Sequence, residues 1–311
     1  MTVGRARILL VLSALLWGSS FVANHQLLIV LSPQHMIVLR FLVVTGVLLA
    51  MGGARARTGA RLTSGDALTL VALGVLAVPG TQLTLVSGQR FLSPAMSGLV
   101  AAVGPAFAAT LAWLFLRERT SPRAWFGVGI AVLGVAGVVL LASGTGTDLT
   151  IRDPRGAALV PLAQVSWAGF TVLSRSFAGR LAPLRTLTLA MTCGTLVMLP
   201  ALPSALRATE GITLVHWGWI LHLAVLGTVL PYLIWISALV HLPAGETAAF
   251  MFLVPLAAIA WSALIIGERP STAGLAAGAL VLVGVALTQS GRAATPGASA
   301  QPSRGAVISE T

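Results

Sequence analysis

Residues 116–121 read LRERTS, and residues 266–271 read IGERPS. The two stretches lie 150 positions apart and share Glu-Arg-x-Ser. The same offset, held without gaps, pairs Trp17 with Trp167, Pro33 with Pro183, and Leu92 with Leu242. It also pairs Pro105 with Pro255 and Gly134 with Gly284. Matches among Ala and Leu would mean little in so apolar a chain. Trp, Pro and Glu are scarcer, and their coincidence at one offset marks an internal duplication.

The composition says where the duplicated unit works. Of 311 residues, 57% are hydrophobic and 9% are charged. A soluble globular protein carries about 25% charged residues, so this chain has no polar coat for a core and belongs in a membrane. Crossing a hydrocarbon layer of roughly 30 Å takes about 20 apolar residues in a helix. Candidate spans follow one another at about 6–29, 34–53, 67–88, 94–116 and 122–142, then 156–178, 183–202, 213–240, 244–266 and 271–290. Helices are required, because lipid offers no partner to a free backbone amide and the segments are too long and too uniformly apolar for barrel strands. The expected fold is therefore all-α and integral to the membrane, with ten transmembrane helices.

The duplication divides the chain into a first repeat over 1–143, a linker over 144–155 and a second repeat over 156–290. The remaining 291–311 is small, polar and Pro-containing, and reads as a disordered tail. Each repeat holds five spans. Five is odd, so the second repeat enters the membrane from the side opposite to the first, and the two are inverted. Inverted repeats are the architecture of secondary transporters, because two such halves can exchange conformations and open alternately to either side.

All basic residues are Arg, and the formal net charge is +11. The Arg residues sit in small groups between apolar runs, not on one soluble face. That pattern is a topology signal and argues against a nucleic-acid partner. Most of it falls on one side, which places both termini in the cytoplasm. The start, MTVGRARILLVLSALLWG, has the look of a signal peptide. Its repeat counterpart lies mid-chain at 156–178, so the first helix is expected to be retained. The lone Cys193 lies in an apolar run, cannot form an internal disulfide and reads as a small hydrophobe.

The pattern resembles the drug/metabolite transporter superfamily, and within it the EamA-type family with two five-helix repeats. The likeness rests on LLWGSSFV (15–22), LRF (39–41), and the stretch 92–141 with its partner 242–289, each containing the Glu-Arg-x-Ser turn before a Gly-rich helix. The resemblance implies export of a small metabolite or drug across the cell membrane. It also implies a central cavity lined by helices one to four and six to nine. The chain departs from the family pattern at Gly104 and Val254, where members often carry an acid before the fourth- and ninth-helix Pro.

A transporter binds cargo near the bilayer midplane, where polar side chains are costly. Within the spans lie Trp17, Ser19, Ser20, Asn24, Arg40, Gln82, Gln164, Ser166, Trp167, Tyr232, Trp235 and Glu246. Arg40, whose repeat counterpart is Ala190, either bonds structurally or attracts an anionic group of the cargo. Glu246 either complements a helix dipole or couples transport to protons. Trp17, Trp167, Tyr232 and Trp235 can wall an aromatic pocket or pack near the pseudo-axis. Asn24 and Gln82 bond across helices or touch cargo. With Ser20 and Gln164 these residues make up the candidate cargo site.

Glu118 and Glu268, with Arg119 and Arg269, read as helix-end turns, or alternatively as ion pairs that gate the rim. Ser121 and Ser271 are placed to cap the helices that follow. Gly127, Gly129, Gly134, Gly137, Gly274, Gly278 and Gly284 suit close packing or a homodimer surface. His25, His35, His216 and His222 are too scattered for a metal. No nucleophile motif, phosphate loop or ATP-hydrolysing domain is present, so neither cofactor nor enzyme activity is expected. The leading function is a secondary-active permease for small organic solutes, with lipid and cargo as its partners. A carrier of nucleotide-sugar or phosphate-bearing cargo is the alternative, and an intramembrane enzyme or scaffold ranks below both.

Overall fold

The computed structural model describes residues 2–52, 62–116, 121–142, 154–174, 177, 180–239, 250–269 and 271–290. Among these the chain is helical throughout, with no strand. The helices are α1 (Val3–Leu28), α2 (Pro33–Ala50), α3 (Ser64–Gln89), α4 (Pro94–Ala101), α5 (Gly104–Leu116), α6 (Pro122–Ala142) and α7 (Pro154–Ser174). They continue as α8 (Pro183–Gly211), α9 (214–239), α10 (Leu253–Ile266) and α11 (Thr272–Ser290). Five of them are long and apolar enough to cross a membrane, namely α1, α2, α3, α8 and α9, and shorter apolar helices accompany them. Ile8, Leu68, Phe126 and Leu264 stand 67–76% exposed on the outside. An exterior this apolar needs lipid around it, and the protein is a multi-pass membrane protein. The linker 144–155 lies mostly, and the tail 291–311 wholly, outside the described residues.

Local chemistry sets the helix starts. Ser-Pro opens α2, α4 and α6: Pro at the first turn gives up an amide that would lack a partner anyway, and the Ser side chain caps. Ser93 Oγ accepts from Met96 N at 3.3 Å, and Ser121 Oγ accepts from Ala124 N at 3.2 Å. Ser271 Oγ does the same for Gly274 N at 3.0 Å ahead of α11. Thr63 and Asp66 form a capping box on α3, with bonds of 2.9 and 3.2 Å. Asp66 also pairs with Arg180 at 2.9 Å, tying α3 to the chain before α8.

The third span and the eighth each widen into a π-helical stretch, at Leu76–Leu83 and His222–Val229. Pro79 has no N–H to donate within the first of these. Threonines answer the loosened backbone: Thr81 Oγ1 donates to Leu76 O at 2.7 Å, and Thr228 Oγ1 donates to Leu223 O at 2.8 Å. The fourth span, expected as one helix, breaks between Ala101 and Gly104 just ahead of Pro105. The repeat counterpart, Pro255, likewise sits near the start of α10.

The two repeats exchange partners reciprocally. Helix α1 packs on α10, while α7 packs on α4 and α5. Helix α2 packs on α9, while α8 packs on α3, and α6 pairs with α11. Positions 150 apart meet directly: Thr45 Oγ1 and Thr195 Oγ1 are 2.9 Å apart, and the Trp17 and Trp167 ring centroids are 6.5 Å apart. Contacts between equivalent residues are what a pseudo-two-fold relation between the copies produces.

Several glycines of α6 and α11 lie where the two helices meet. A Cβ on Gly134 would lie 2.6 Å from Val281 N, and one on Gly284 would lie 2.8 Å from Ala131 Cα. Of the two sequence readings of these glycines, packing within the chain is the one realised at Gly127, Gly134 and Gly284. Gly129 faces open space.

Candidate functional site

Between the repeats lies a cavity of about 110 Å³. Its walls come from α1, α2, α3, α4 and the break that follows it, α7, α9 and the start of α10. Helix α8 contributes no lining residue among those described, which corrects the expectation that the seventh span shares the cavity. The reason lies in the packing. In α8, Ala190 and Gly194 press on Gly74 of α3, their backbone atoms 2.5 Å from where a Cβ on Gly74 would stand.

Trp17, Ser20, Asn24, Arg40, Gln82, Gln164, Trp167 and Tyr232 all line this one cavity. Trp235 does not, and stands behind Trp17 with ring centroids 5.5 Å apart. Glu246 lies outside the described residues, as do Glu118 and Arg119. Ser19 and Ser166 turn elsewhere. Ser19 Oγ lies 3.0 Å from His222 Nε2, which takes that histidine into the interior, and Ser166 packs against Gly80.

Arg40 is 1% exposed although it lines the cavity. Its Nε and Nη2 donate to Thr228 Oγ1 at 3.2 and 2.6 Å, and its Nη1 donates to Gln82 Oε1 at 3.2 Å. Every acceptor is neutral, and among the described residues no carboxylate pairs with it. A guanidinium carries five N–H donors, and three of them are used by these neighbours among the described residues. Holding a cation in this setting costs free energy unless an anion visits it.

Beside Arg40 stands an aromatic wall. Trp17, Trp167 and Tyr232 meet edge to face, with Tyr232 centred 5.9 Å from Trp17 and 5.6 Å from Trp167. Phe170 stacks on the far side of Trp167 at 5.5 Å. Each ring is held by the next, which keeps the wall rigid against a flat or apolar group.

Asn24 Nδ2 donates to Gln89 Oε1 at 2.8 Å. Asn24 Oδ1, buried at the cavity, has no partner among the described residues, nor does Gln89 Nε2. A buried amide oxygen left open this way is an acceptor held ready for a donor. Gln164 closes one wall against Gly104, where a Cβ would lie 2.7 Å from Gln164 Oε1. An acidic side chain at 104 would displace Gln164, which accounts for the departure noted there.

Sequence reasoning missed Thr81, Thr228, Gln89 and Met251. Thr81 and Thr228 were visible only as threonines next to prolines in apolar spans, Pro79 and Pro231. Among the described residues no cluster of three His, Cys, Asp or Glu could hold a metal ion.

Known proteins are similar to this chain in sequence and fold. The sequence pattern of the EamA-like transporter family matches residues 4–140 and again 154–289. An "Uncharacterized transporter" of Archaeoglobus fulgidus is 27% identical over 89% of this chain and 96% of its own. A "Probable terminal-alkyne amino-acid exporter" of Streptantibioticus cattleyicolor is 27% identical over 89% and 91% of the two chains. A "Probable amino-acid metabolite efflux pump" of Salmonella typhimurium is 26% identical over 89% and 92%. One crystal structure, 19% identical, shares the fold with a TM-score of 0.59 over 91% of this chain and 96% of the other. The relatives are named as transporters and exporters, not enzymes.

Proposed function

The chain belongs to the EamA-like transporter family, and from that premise we propose that it is a secondary-active exporter of small amphipathic solutes bearing a carboxylate. The observation that carries this reading is Arg40: a buried cation at the cavity, with neutral partners among the described residues, beside a wall of Trp and Tyr. The guanidinium suits a carboxylate, which it can bind through two parallel bonds. The ring wall takes the apolar part of the solute, and Asn24 Oδ1 takes a donor such as an ammonium. Two relatives named for amino-acid export favour an amino acid or a close derivative. A phosphate-bearing cargo would call for several cavity cations, and Arg40 is the only one lining this cavity among the described residues.

In this reading the chain crosses the cell membrane ten times, with both termini cytoplasmic. Its repeats, 1–143 and 156–290, lie inverted and alternate the cavity between the two faces. Reciprocal packing of the copies supports it. Single cysteines at positions 61 and 211, in a cysteine-free background, should be labelled from opposite faces. Labelling of both from one face rejects the inversion.

The decisive test is efflux from proteoliposomes across a panel of amino acids, their amides and neutral analogues, with and without a pH gradient. Carboxylate-bearing solutes should move, and their amides should not. Equal movement of amides and acids overturns the cargo reading. Glu246 is the proposed coupling carboxylate; accumulation indifferent to the gradient for every solute moved would remove proton coupling. Trp17→Leu should raise KM about three- to tenfold for aromatic solutes, from the loss of about one ring contact. Aliphatic solutes should change less.

A further inference from the structure

We propose that Glu268 is the latch of a one-sided gate, holding the cavity shut at the end where α10 finishes and α4 begins. The inference rests on the alternating-access reading above and adds which end is held closed at rest. Gly267, with φ of 68°, turns the chain off α10 so that Glu268 folds back. Glu268 N donates to Ser262 O at 3.3 Å, and the buried Ser262 Oγ donates to Glu268 Oε2. The other side of the carboxylate reaches a different repeat. Ser93 Oγ donates to Glu268 Oε1, and Ala95 N donates to Glu268 Oε2 at 3.3 Å.

The carboxylate therefore sits on the N-terminus of α4, where the helix dipole favours negative charge. It binds that terminus to the end of α10 through charge-assisted bonds, which are stronger than neutral ones. Just inside the latch the two helices seal: a Cβ on Gly98 would lie 2.7 Å from Ala258 Cβ. Further in, Ala101 and Ala102 of one repeat and Val254 and Pro255 of the other line the cavity. Opening this end means parting α4 from α10, and that breaks the Glu268 bonds to Ser93 and Ala95.

The sequence does not repeat these donors at the opposite end, whose turn residues lie outside the described ones. By the repeat register the counterpart of Glu268 is Glu118, and those of Ser93, Ala95 and Ser262 are Pro243, Gly245 and Ala112. Both hydroxyl donors are missing. A carrier with one latched end and one unlatched end rests open toward the unlatched one. With cytoplasmic termini, the latched end faces outward, so the resting cavity faces the cytoplasm, as an exporter's must to load.

The test is thiol accessibility in membrane vesicles of each orientation. Cys193→Ser removes the chain's single cysteine, and Ala101→Cys places a probe in the cavity. An impermeant methanethiosulfonate reagent should label the probe from the Glu118 face only. Glu268→Ala should raise labelling from the other face about tenfold or more, and Ser93→Ala, which keeps the Ala95 bond, about two- to fivefold. Unchanged labelling from that face in a folded Glu268→Ala protein overturns the latch. Should Glu268→Ala not fold, the Ser93→Ala rate decides in the same way. The measurement needs no transport. A chain that shows the labelling change but moves no solute keeps the latch and loses the proposed cargo. One that moves carboxylates with labelling unchanged does the reverse.

Discussion

Arg40→Gln should cut the efflux of a carboxylate-bearing solute about a hundredfold, while the protein stays folded with an equal or higher melting temperature. The two halves of that result come from one arrangement. In the absence of cargo, the guanidinium is buried at 1% exposure, with Thr228 and Gln82 as its acceptors among the described residues. A buried ion without a counter-ion carries a desolvation cost that neutral bonds do not fully offset, so its removal need not destabilise the fold. Thr228 keeps its own bond to Leu223 O when Arg40 is gone. Cargo is different. A carboxylate that meets the guanidinium gains charge-assisted bonds, and losing them costs about 3 kcal/mol, a factor of about 100. Arg40→Lys should recover part of the rate, because it restores charge without the planar fork. The checks are proteoliposome efflux and thermal denaturation in detergent. An Arg40→Gln protein that exports carboxylates normally, or melts well below the parent, leaves Arg40 a structural residue.

Gly284→Val should be the most damaging single substitution for stability. The new Cβ would lie 2.7 Å from Gly127 O and 2.8 Å from Ala131 Cα. Both are backbone atoms, so no rotamer change relieves the clash, and α6 and α11 must separate. Overpacking a well-filled site costs about 1–3 kcal/mol, and a backbone clash belongs at the upper end. In lipid, close approach of small residues is itself the source of helix association. Gly129→Val, on the open face of the same helix pair, should shift stability by no more than about 0.5 kcal/mol. Melting curves of the two variants in one detergent give the comparison. Equal effects would mean that the α6–α11 contact does not hold the fold.

Much of the candidate site is legible as a set of costly residues. A polar or aromatic side chain deep in an apolar span stands out in sequence, and eight of those singled out share one cavity wall. What failed was direction. Trp235, read with Trp17, Trp167 and Tyr232 as a pocket wall or as packing near the pseudo-axis, packs on Trp17 and is not among the residues lining the cavity. Glu268 was read as a turn residue, with an ion pair as the alternative. It does stand on the turn after α10, and its carboxylate is bonded to Ser93 and Ala95, 175 and 173 positions earlier in the chain.

Membrane residence, duplication, helix starts and the identity of the residues that do not belong in lipid were settled by sequence alone. Each depends on composition or on neighbours within a few positions. Tertiary structure decided which faces meet. Helices apolar on every side carry no stripe to say which face turns inward, and the repeat offset relates positions without saying which of them touch. Only packing shows that Arg40 rests on Thr228, 188 residues away, that α8 turns from the cavity, and that the two glycine-rich helices are used on each other.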